Sequence, residues 1–414
     1  MTKKSDAPAI RFKGFSDAWE QRKLGDMMNV TSVKRIHQSD WTDSGVRFLR
    51  ARDIVAAAKN EDPDDYLYIS KEKYEEYSAL SGKVGVSDLL VTGVGTIGVP
   101  YLVRNLEPLY FKDGNIIWFQ NSDKIDGKFL FYSFSAEQIQ GFINESAGIG
   151  TVGTYTIESG KKTPISLPNR IEQAKVGEFF QQLDNLITLH QRKFEKLTNV
   201  KKSMLEKMFP QNGSSYPEIR FKGFTDPWEQ RKLGDIADIV GGGTPSTGNQ
   251  SYWGGDIDWY APAEIADQIY ANSSQKKITG LGYENSSAKM LPPGTVLFTS
   301  RAGIGKTAIL TRKGCTNQGF QSIVPHRGEL DSYFIFSRTE ELKRYGELVG
   351  AGSTFVEVSG KQMAVMELMM PPTMREQQTI GGFFQQLDHL ITLHQRELEK
   401  LQNIKKSMLE KMFV

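Results

Sequence analysis

The chain has 414 residues, 39% hydrophobic and 24% charged, a balance that is typical of a globular protein with two or three domains. Its formal net charge of +2 means that any nucleic-acid surface must be local, and its single cysteine excludes an internal disulfide framework. No apolar run is long enough to cross a bilayer and none follows the N-terminal lysines, so we expect a cytoplasmic protein with no secretory signal and no membrane partner.

A short box opens the chain and returns near its middle. RFKGFSDAWEQRKLGD occupies 11–26 and RFKGFTDPWEQRKLGD occupies 220–235, with identity at 14 of 16 positions. The aromatic and charged residues follow no clean period. We therefore expect a tether that packs Phe15, Trp19 and Leu24 on the body of each half, with a share in a partner-docking surface as the alternative.

Two variable segments of similar size follow the boxes. Short β-rich runs such as NIIWF (115–119) and TVLFT (295–299) alternate with Gly, Pro and Asn turns. A few helices are predicted between them, for example over Lys71–Leu80 and Asp331–Leu342. Each segment is therefore expected to be a mixed α/β domain.

The two variable segments keep a faint identity. LLVTGVGTIGVPYLV (89–103) aligns with VLFTSRAGIGKTAIL (296–310). GTYTIESGKK (153–162) aligns with STFVEVSGKQ (353–362). These matches predict one fold that carries two different surfaces.

A longer repeat ends each half. Residues 179–209 and 383–413 differ at five of 31 positions and contain neither proline nor glycine. Their apolar residues recur at alternating steps of three and four, which predicts a long helix with one apolar seam. From Ile171 onward, about 40 residues would form a rod of roughly 60 Å, and because such a helix is poorly stable alone, we expect the two copies to pack together. The predicted helix and partner interface comprises Phe180, Leu183, Ile187, His190, Phe194, Leu197, Met204, Phe384, Leu387, Ile391, His394, Leu398, Leu401 and Met408.

Polar residues interrupt the seam at matching places. His190 and His394 lie on one heptad row, and Lys201 and Lys405 lie on the other. We interpret them as register-setting residues, because no Cys, Asp or Glu at ligand spacing supports a metal site at the histidine pair. Apolar residues beside the seam widen the stripe, which could cover a neighbouring domain or receive a partner protein: Phe179, Leu186, Val200 and Leu205.

The repeats divide the chain into seven parts. The linker at 210–219 has the Pro, Gly, Ser and Asn of a flexible connection. The predicted order is an N-terminal box at 1–26, a variable domain at 27–165, a central helix at 166–209, the linker, the repeated box at 220–235, a second variable domain at 236–370 and a C-terminal helix at 371–414.

Signatures of bond chemistry are missing from the sequence. RAGIGKT (301–307) resembles a phosphate loop, but the first glycine of that signature falls on Ser300. The glycine run at 241–243 has no partner motif and is interpreted as structural. The five histidines show neither metal spacing nor a nucleophile partner. We therefore expect a chain that is not itself an enzyme, has no catalytic or metal-binding residues and holds no cofactor.

The order of boxes, variable domains and helices resembles the specificity subunit of type I restriction–modification systems. The resemblance covers essentially the whole chain, and the order of the repeats is its specific part. It implies an α+β architecture in which two mixed α/β target recognition domains are separated by a pair of long helices. These helices would form an antiparallel coiled coil, with a pseudo-two-fold internal repeat.

The resemblance also implies the partners. Each recognition domain would read one half of a bipartite, asymmetric site in double-stranded DNA. Two modification subunits, which bind S-adenosylmethionine and methylate adenine at N6, and two restriction subunits, which use ATP and Mg, would supply the catalysis. Cofactors are thus expected on partner subunits.

Base readout favours Arg or Lys for guanine and Asn or Gln for adenine, on loops that reach the major groove. On this basis the loops at 92–98 and 299–306 are the leading candidates for DNA binding. In the first domain the predicted residues are Arg50, Arg52, Thr92, Thr96, Tyr155, Lys161 and Lys162. In the second domain they are Ser300, Arg301, Lys306, Asn317, Gln318, Gln321, Thr354 and Lys361. For each, a surface or turn residue without DNA contact is the alternative.

Two other functions fit parts of the pattern. A scaffold with two ligand-binding modules would have no affinity for duplex DNA and no methyltransferase partner. An enzyme with an unrecognised site would be active as the purified chain alone.

Overall fold

A computed structural model describes residues 7–147, 153–265, 268–301, 303–351 and 357–414. The chain forms two compact units: the first contains the residues up to Arg192 together with Gln395–Val414, and the second contains Lys193–His394. In the described residues no helix is apolar over a length that would cross a bilayer.

In its described residues the first unit combines ten strands with six short α-helices, one 3-10 helix (Gln38–Asp40) and parts of two long helices. Its strands are β1 (Glu20–Lys23), β2 (Asn29–Thr31), β3 (Trp41–Thr42), β4 (Val46–Leu49), β5 (Leu67–Ile69), β6 (Leu89–Thr92), β7 (Pro100–Leu102), β8 (Leu109–Phe111), β9 (Ile116–Gln120) and β10 (Pro164–Leu167). Its helices are α1 (Leu24–Met27), α2 (Ala51–Ala58), α3 (Lys71–Ser81), α4 (Gly127–Ser135), α5 (Glu137–Ser146), α6 (Ile157–Lys162) and the first part of α7 (Arg170–Lys207).

Two four-stranded sheets carry the body of the first unit. Their orders are β2-β9-β6-β7 and β3-β5-β4-β8, with β4 and β8 parallel and the other pairs antiparallel. Runs such as Ile116–Phe119 are buried throughout, as expected for strands covered on both faces. Aromatic residues of α4 and the seam residue Phe180 complete one core cluster, and Phe48, Phe111 and Trp118 belong to another.

The second unit repeats this plan with different sheets. Its strands are β11 (Glu229–Lys232), β12 (Ala237–Gly241), β13 (Trp253–Tyr260), β14 (Tyr270–Ala271), β15 (Lys276–Ile278), β16 (Val296–Phe298), β17 (Thr307–Leu310), β18 (Cys315–Thr316), β19 (Gln321–Pro325) and β20 (Glu367–Met370). Its helices are the last part of α7, α8 (Leu233–Ile236), α9 (Gly280–Glu284), α10 (Ser332–Ser337), α11 (Thr339–Gly350), α12 (Gly360–Ala364) and residues 374–394 of α13 (Met374–Met412). The sheet orders are β12-β19-β16-β17-β14 and β15-β13-β18.

The variable domains contain the strands and helices named in the sequence prediction, except that one predicted helix is divided into two. α3, β9 and β16 lie within a residue of the predicted segments. The single helix predicted over Asp331–Leu342 is wrong, because the chain turns at Arg338 between α10 and α11. Arg338 is buried there, and its guanidinium binds Glu341 and the carbonyl of Met369.

The two long helices have 38 and 39 residues, which corresponds to about 57 and 59 Å and confirms the predicted rods. Within the first unit, Phe180 stacks near Phe413, at 5.6 Å between ring centroids, and Asp184 binds Lys405. Along α7 the contacts run from Phe180 to Asp184, while their partners on or just after α13 run backwards from Phe413 to Lys405. These two segments are therefore antiparallel.

The second unit contains the same antiparallel arrangement. Phe209 and Phe384 stack at 5.9 Å, and Lys201 binds Asp388. Phe209 lies just beyond the end of α7 and folds into the core with Trp228, so the last phenylalanine of each repeat caps the hydrophobic core rather than extending the helix.

Each box docks on its own unit as a strand as well as through its aromatic residues. β1 pairs antiparallel with β10, and β11 pairs antiparallel with β20. Trp19 is 3% exposed and Leu24 is fully buried, which confirms the predicted packing, while the pairing as strands was not predicted. The linker at 210–219 contains a turn in which Ser214 N–H donates to the Gln211 carbonyl, and Ile219 N–H donates to the carbonyl of Lys207 at the end of α7.

Candidate nucleic-acid interface

In the first unit, several strands end along one edge. Thr92, at the end of β6, pairs with Ile116 at the start of β9. Leu49, at the end of β4, pairs with Phe111 at the end of β8, and the turn at 112–115 connects β8 to β9. We call the loops at this edge the first reading edge: they are 32–37, 50–52, 92–99, 112–115 and 153–156.

The loop at 92–98 is closed by one threonine. The Thr92 hydroxyl donates to the Thr96 carbonyl at 2.5 Å and accepts from Val99 N–H at 2.9 Å. Gly98 has a φ of +78°, and its N–H donates to the Thr92 carbonyl. Thr92 is fully buried while Thr96 is exposed, so Thr92 shapes the loop and Thr96 is presented by it.

The loop at 299–306 repeats this network atom for atom. The Thr299 hydroxyl donates to the Gly303 carbonyl at 2.7 Å and accepts from Lys306 N–H at 2.9 Å. Gly305 has a φ of +97°, and its N–H donates to the Thr299 carbonyl. Lys306 is exposed. The predicted alignment of Thr92 with Thr299 and of Gly98 with Gly305 is therefore confirmed.

Four predicted residues of the second unit lie around this loop. Ser300 N–H donates to the Gly319 carbonyl, and Arg301 lies 4.0 Å from the Glu357 carboxylate. Gln321, at the start of β19, pairs with Gly241 at the end of β12. Gln321 also reaches α12, since a Cβ added at Gly360 would lie 2.9 Å from Gln321 Oε1. Lys361, in the first turn of α12, is exposed beside it.

Asn317 and Gln318 follow β18 at the same edge. The Asn317 side chain accepts from Gly319 N–H at 2.7 Å, which is the turn-capping role that rivalled DNA contact in the prediction. Gln318 is exposed, and its Oε1 accepts from the Thr244 hydroxyl. This contact orients the amide of Gln318 at the surface. We call the loops at 241–245, 299–306, 317–321 and 357–361 the second reading edge.

The two arginines after β4 have different environments. Arg50 is largely enclosed and donates to both Asp53 and Asp65. The hydrogen bond to Asp53 is the main reason that the pKa of Arg50 is raised, and the bond from Arg50 lowers the pKa of Asp65. Arg52 has a side chain that is 61% exposed and binds only one oxygen of Asp65 among the contacts described. Of the two, Arg52 is the better placed to contact a ligand.

Three predicted DNA-binding side chains are buried. Thr92 and Ser300 are fully buried, and Tyr155 is 1% exposed. The Tyr155 hydroxyl lies 2.5 Å from that of Thr163, and burial raises its pKa. These side chains therefore offer no surface to a double helix. The Thr92 hydroxyl closes its loop and the Tyr155 hydroxyl bonds Thr163, whereas the Ser300 hydroxyl has no hydrogen-bond partner among the described residues.

The alignment of GTYTIESGKK with STFVEVSGKQ is wrong by three residues. Tyr155 N–H donates to Gly93 and Val358 N–H to Ser300, while Leu24 N–H donates to Thr163 and Leu233 N–H to Met366. Structurally equivalent residues therefore differ by 203, whereas the sequence alignment used 200. The shared Ser-Gly-Lys ends α6 in the first unit and begins α12 in the second.

This shift separates the predicted lysines. A Cβ added at Gly25, in the box helix α1, would touch Lys161, so Lys161 lies toward the box rather than at the reading edge. Lys161 also binds Glu158 at 2.8 Å, and Lys162 is its exposed neighbour. Lys361 is therefore at a reading edge and Lys161 and Lys162 are not. Thr354 lies outside the described residues.

Sequence reasoning missed two features of the reading edges. Lys34 and Arg35 follow β2 as exposed cations, and Arg35 lies 3.4 Å from Asp113. In the second unit the glycine run brings Thr244 to Gln318: a Cβ at Gly242 would lie 2.0 Å from the Asn317 carbonyl. The sequence did contain a signal for each feature. The first was a pair of basic residues soon after a β-rich run, and the second was a run of three glycines.

The predicted helix interface is buried at its base and half-buried along its length. Phe180 and Phe384 are fully buried, and Leu183, Ile187 and Leu387 are 7–8% exposed. The remaining predicted positions are partly buried: His190, Phe194, Leu197, Met204, Ile391, His394, Leu398, Leu401 and Met408. Of these, Leu197 and Met204 pack on the core of the second unit, and Leu401 and Met408 pack on that of the first.

Among the described residues, no cluster of three or more His, Cys, Asp or Glu side chains could hold a metal ion.

Comparison with known proteins gives one consistent family. The family model for the "Type I restriction modification DNA specificity domain" matches twice, at residues 16–199 and 225–403. A specificity subunit of the type I restriction enzyme MjaIX from Methanocaldococcus jannaschii is 35% identical over 45% of this chain and 44% of its own length. The putative MjaX specificity subunit of the same organism is 22% identical over 94% of this chain and 92% of its own.

A solved structure shares the fold along the whole chain. The crystal structure of a type I restriction–modification S subunit from M. genitalium covers 99% of both chains with a TM-score of 0.63 and 13% sequence identity. This likeness confirms the predicted fold class, with its two mixed domains and paired long helices.

Proposed function

Because the chain belongs to the family of type I restriction–modification DNA specificity subunits, whose members recognise DNA sequence, we propose that it reads a bipartite, asymmetric site in double-stranded DNA. The first reading edge would read one half-site and the second reading edge the other. The chain itself would be a non-catalytic subunit that directs adenine-N6 methylation and cleavage by its partners.

One observation carries this proposal: the two reading edges share a frame and differ in what they present. The hydroxyls of Thr92 and Thr299 make the same pair of loop-closing hydrogen bonds. The first loop presents the uncharged Thr96, whereas the second presents the cation of Lys306. A common backbone frame with different side chains is what reading two unlike half-sites requires.

The exposed side chains define the proposed contacts. Arginine and lysine favour phosphates and guanine, while glutamine and asparagine favour adenine. At the first reading edge the proposed contacts are Arg52 and Thr96, to which we add Lys34 and Arg35 because they are exposed cations after β2. At the second reading edge they are the exposed Lys306, Gln318 and Lys361 and the partly exposed Arg301 and Gln321. Asn317 is a weaker candidate because its side chain caps a turn.

The helices offer a docking surface for two copies of one partner. Leu186 and Leu189 of α7 are 44% and 45% exposed, and Leu390 and Leu393 of α13 are 40% and 44% exposed. Exposed leucines at repeated positions favour protein contacts, and a surface that occurs twice suits two identical subunits. We propose that two modification subunits, carrying S-adenosylmethionine, dock there, and that two restriction subunits, using ATP and Mg, complete the assembly.

Expression of this chain with its cognate modification subunit in a methylation-deficient host tests the proposal. Modified-base sequencing of the host DNA should detect N6-methyladenine in one split motif only. The matched control is the modification subunit without this chain, which should leave the DNA unmethylated.

No methylation from a complex that co-purifies intact would contradict the proposed function. Methylation that the modification subunit produces equally well alone would contradict it too, because the chain would then contribute no specificity.

A further inference from the structure

In the first unit, Asp184, the aspartate of the FFQQLD sequence, connects three helices. Asp184 Oδ1, on α7, lies 2.6 Å from Lys405 Nζ, on α13. Asp184 Oδ2 accepts a hydrogen bond of 2.7 Å from the Tyr132 hydroxyl, on α4 of the mixed domain. Each oxygen of one carboxylate therefore holds a different element.

The second unit contains the same contact with the helices exchanged. Asp388 Oδ1, on α13, lies 2.5 Å from Lys201 Nζ, on α7, and Asp388 Oδ2 accepts from the Tyr333 hydroxyl of α10 at 2.8 Å. We call each set a Tyr–Asp–Lys joint. The two joints place the same chemistry at positions that the repeat makes equivalent.

The joints are enclosed enough to be directional. The Asp388 side chain is 8% exposed and that of Asp184 27% exposed, and Tyr132 is 1% exposed. Burial, with the neighbouring carboxylate, raises the pKa of Tyr132, so its hydroxyl remains a donor. The two lysines keep 27% and 29% of their side-chain surface exposed, so the joints are only partly shielded from water. A charge-assisted bond that is partly shielded still constrains geometry more tightly than apolar contact does, because a half-made network leaves a buried group unpaired.

An apolar seam alone would not set this geometry. A slide of one helix by a turn moves a side chain by about 5.4 Å and still finds apolar residues, since the seam repeats every three or four residues. The same slide would separate lysine from aspartate and break the joint. The lysines that interrupt the seam are therefore explained by the aspartates they meet.

We propose that the two Tyr–Asp–Lys joints determine which spacer lengths the protein accepts between its half-sites. Each joint fixes the position and orientation of the mixed domain, and with it the reading edge, on the helix pair of its own unit. Adding one base pair to a spacer moves a half-site by about 3.4 Å and turns it by about 35°. A reading edge that the joint holds firmly on the helix pair cannot bind a half-site displaced in this way. A reading edge that is held loosely can bind it. This inference rests on the proposed function.

Breaking the two bonds separately tests the joint of the first unit. Tyr132→Phe removes the bond to the mixed domain and leaves the ring and the ion pair. Lys405→Met removes the ion pair and leaves the apolar stem. With the modification subunit present, modified-base sequencing should show both half-sites unchanged in each variant. Methylation at sites whose spacer is one base pair too long or too short should rise about tenfold relative to the correct spacer, the factor that corresponds to 1.4 kcal/mol.

The chain provides matched controls. Lys406→Met changes the adjacent exposed lysine and should keep the spacer of the unaltered protein. Lys405→Arg keeps a cation beside Asp184 and should restore spacer selectivity. If a variant of the first unit does not fold, Tyr333→Phe and Lys201→Met make the same test in the second.

Unchanged spacer selectivity in folded Tyr132→Phe and Lys405→Met proteins would overturn the proposal, and so would a change in the half-site bases themselves. A failure of the proposed function would look different, because the unaltered protein would then produce no split motif.

Discussion

At the scale of single residues, a buried carboxylate anchors each box. Glu172 is fully buried and Glu376 is 1% exposed. The guanidinium of Arg11 grips both oxygens of Glu172 at 2.6 and 2.7 Å, and Arg220 grips Glu376 at 2.7 and 2.8 Å. The first residue of the repeated box therefore ties it to the base of a long helix.

Arg220→Ala should destabilise the second unit by about 3–5 kcal/mol, because it leaves the Glu376 charge buried without its cation. Denaturant unfolding of the full chain measures the change. The control is Lys222→Ala, an exposed residue of the same box, which should change the free energy of unfolding by less than about 0.5 kcal/mol. Equal losses in the two variants would contradict a buried anchor.

At the reading edges, residue type did not predict which side chains are exposed. Gln318 and Lys306 are exposed where a ligand could meet them, whereas Thr92, Ser300 and Tyr155 are buried. Threonine and tyrosine suit base contact and loop closure equally well. Only the folded backbone decides between these roles, because it determines which side of a loop faces the core.

At the scale of elements, the threonine-closed loop is the part of the reading edge that both units share. Thr299→Val keeps the shape of the side chain and removes both loop-closing bonds, to Gly303 and from Lys306. The Lys306 amide should then exchange with solvent about five times faster, since a lost hydrogen bond of this kind costs on the order of 1 kcal/mol. Hydrogen exchange with residue resolution measures it.

Thr295→Val is the matched control for this loop. Thr295 is also fully buried, and its hydroxyl donates to the Pro292 carbonyl, outside the loop. Exchange at Lys306 should be unchanged in this variant. If both variants accelerate Lys306 equally, general destabilisation rather than loop closure is responsible.

Sequence comparison predicted the long helices but not the contacts between them. The long helices were predictable because a seam of alternating steps persists over their whole length. The aspartates that meet Lys201 and Lys405 were not, since a charged residue in a helix gives no sign of its partner across a helix pair. The alignment at Ser-Gly-Lys was wrong by three residues because it matched a short identical string. The backbone hydrogen bonds that identify the equivalent residues are visible only in the folded structure.

At the scale of the whole molecule, the chain joins two copies of a frame with two sets of reading side chains. The near-identity of boxes and helices predicted the whole plan, since two repeats in fixed order leave few arrangements. The bases that each edge would read were beyond such reasoning, because base readout depends on the side chains and loop geometry that the variable segments do not share. The predicted domain boundaries remain a prediction, although 236–370 begins at the end of α8 and ends with β20.

The central claim is that each unit reads its own half-site. Its most direct test replaces residues 236–370 with the second variable domain of a family member that recognises another sequence, which leaves both boxes and the whole of α7 and α13 in place. With the modification subunit present, modified-base sequencing should then show a split motif in which one half has changed and the other half matches the one found with the unaltered protein in the same assay. A motif changed in both halves, or in neither, from a complex that assembles would contradict the account.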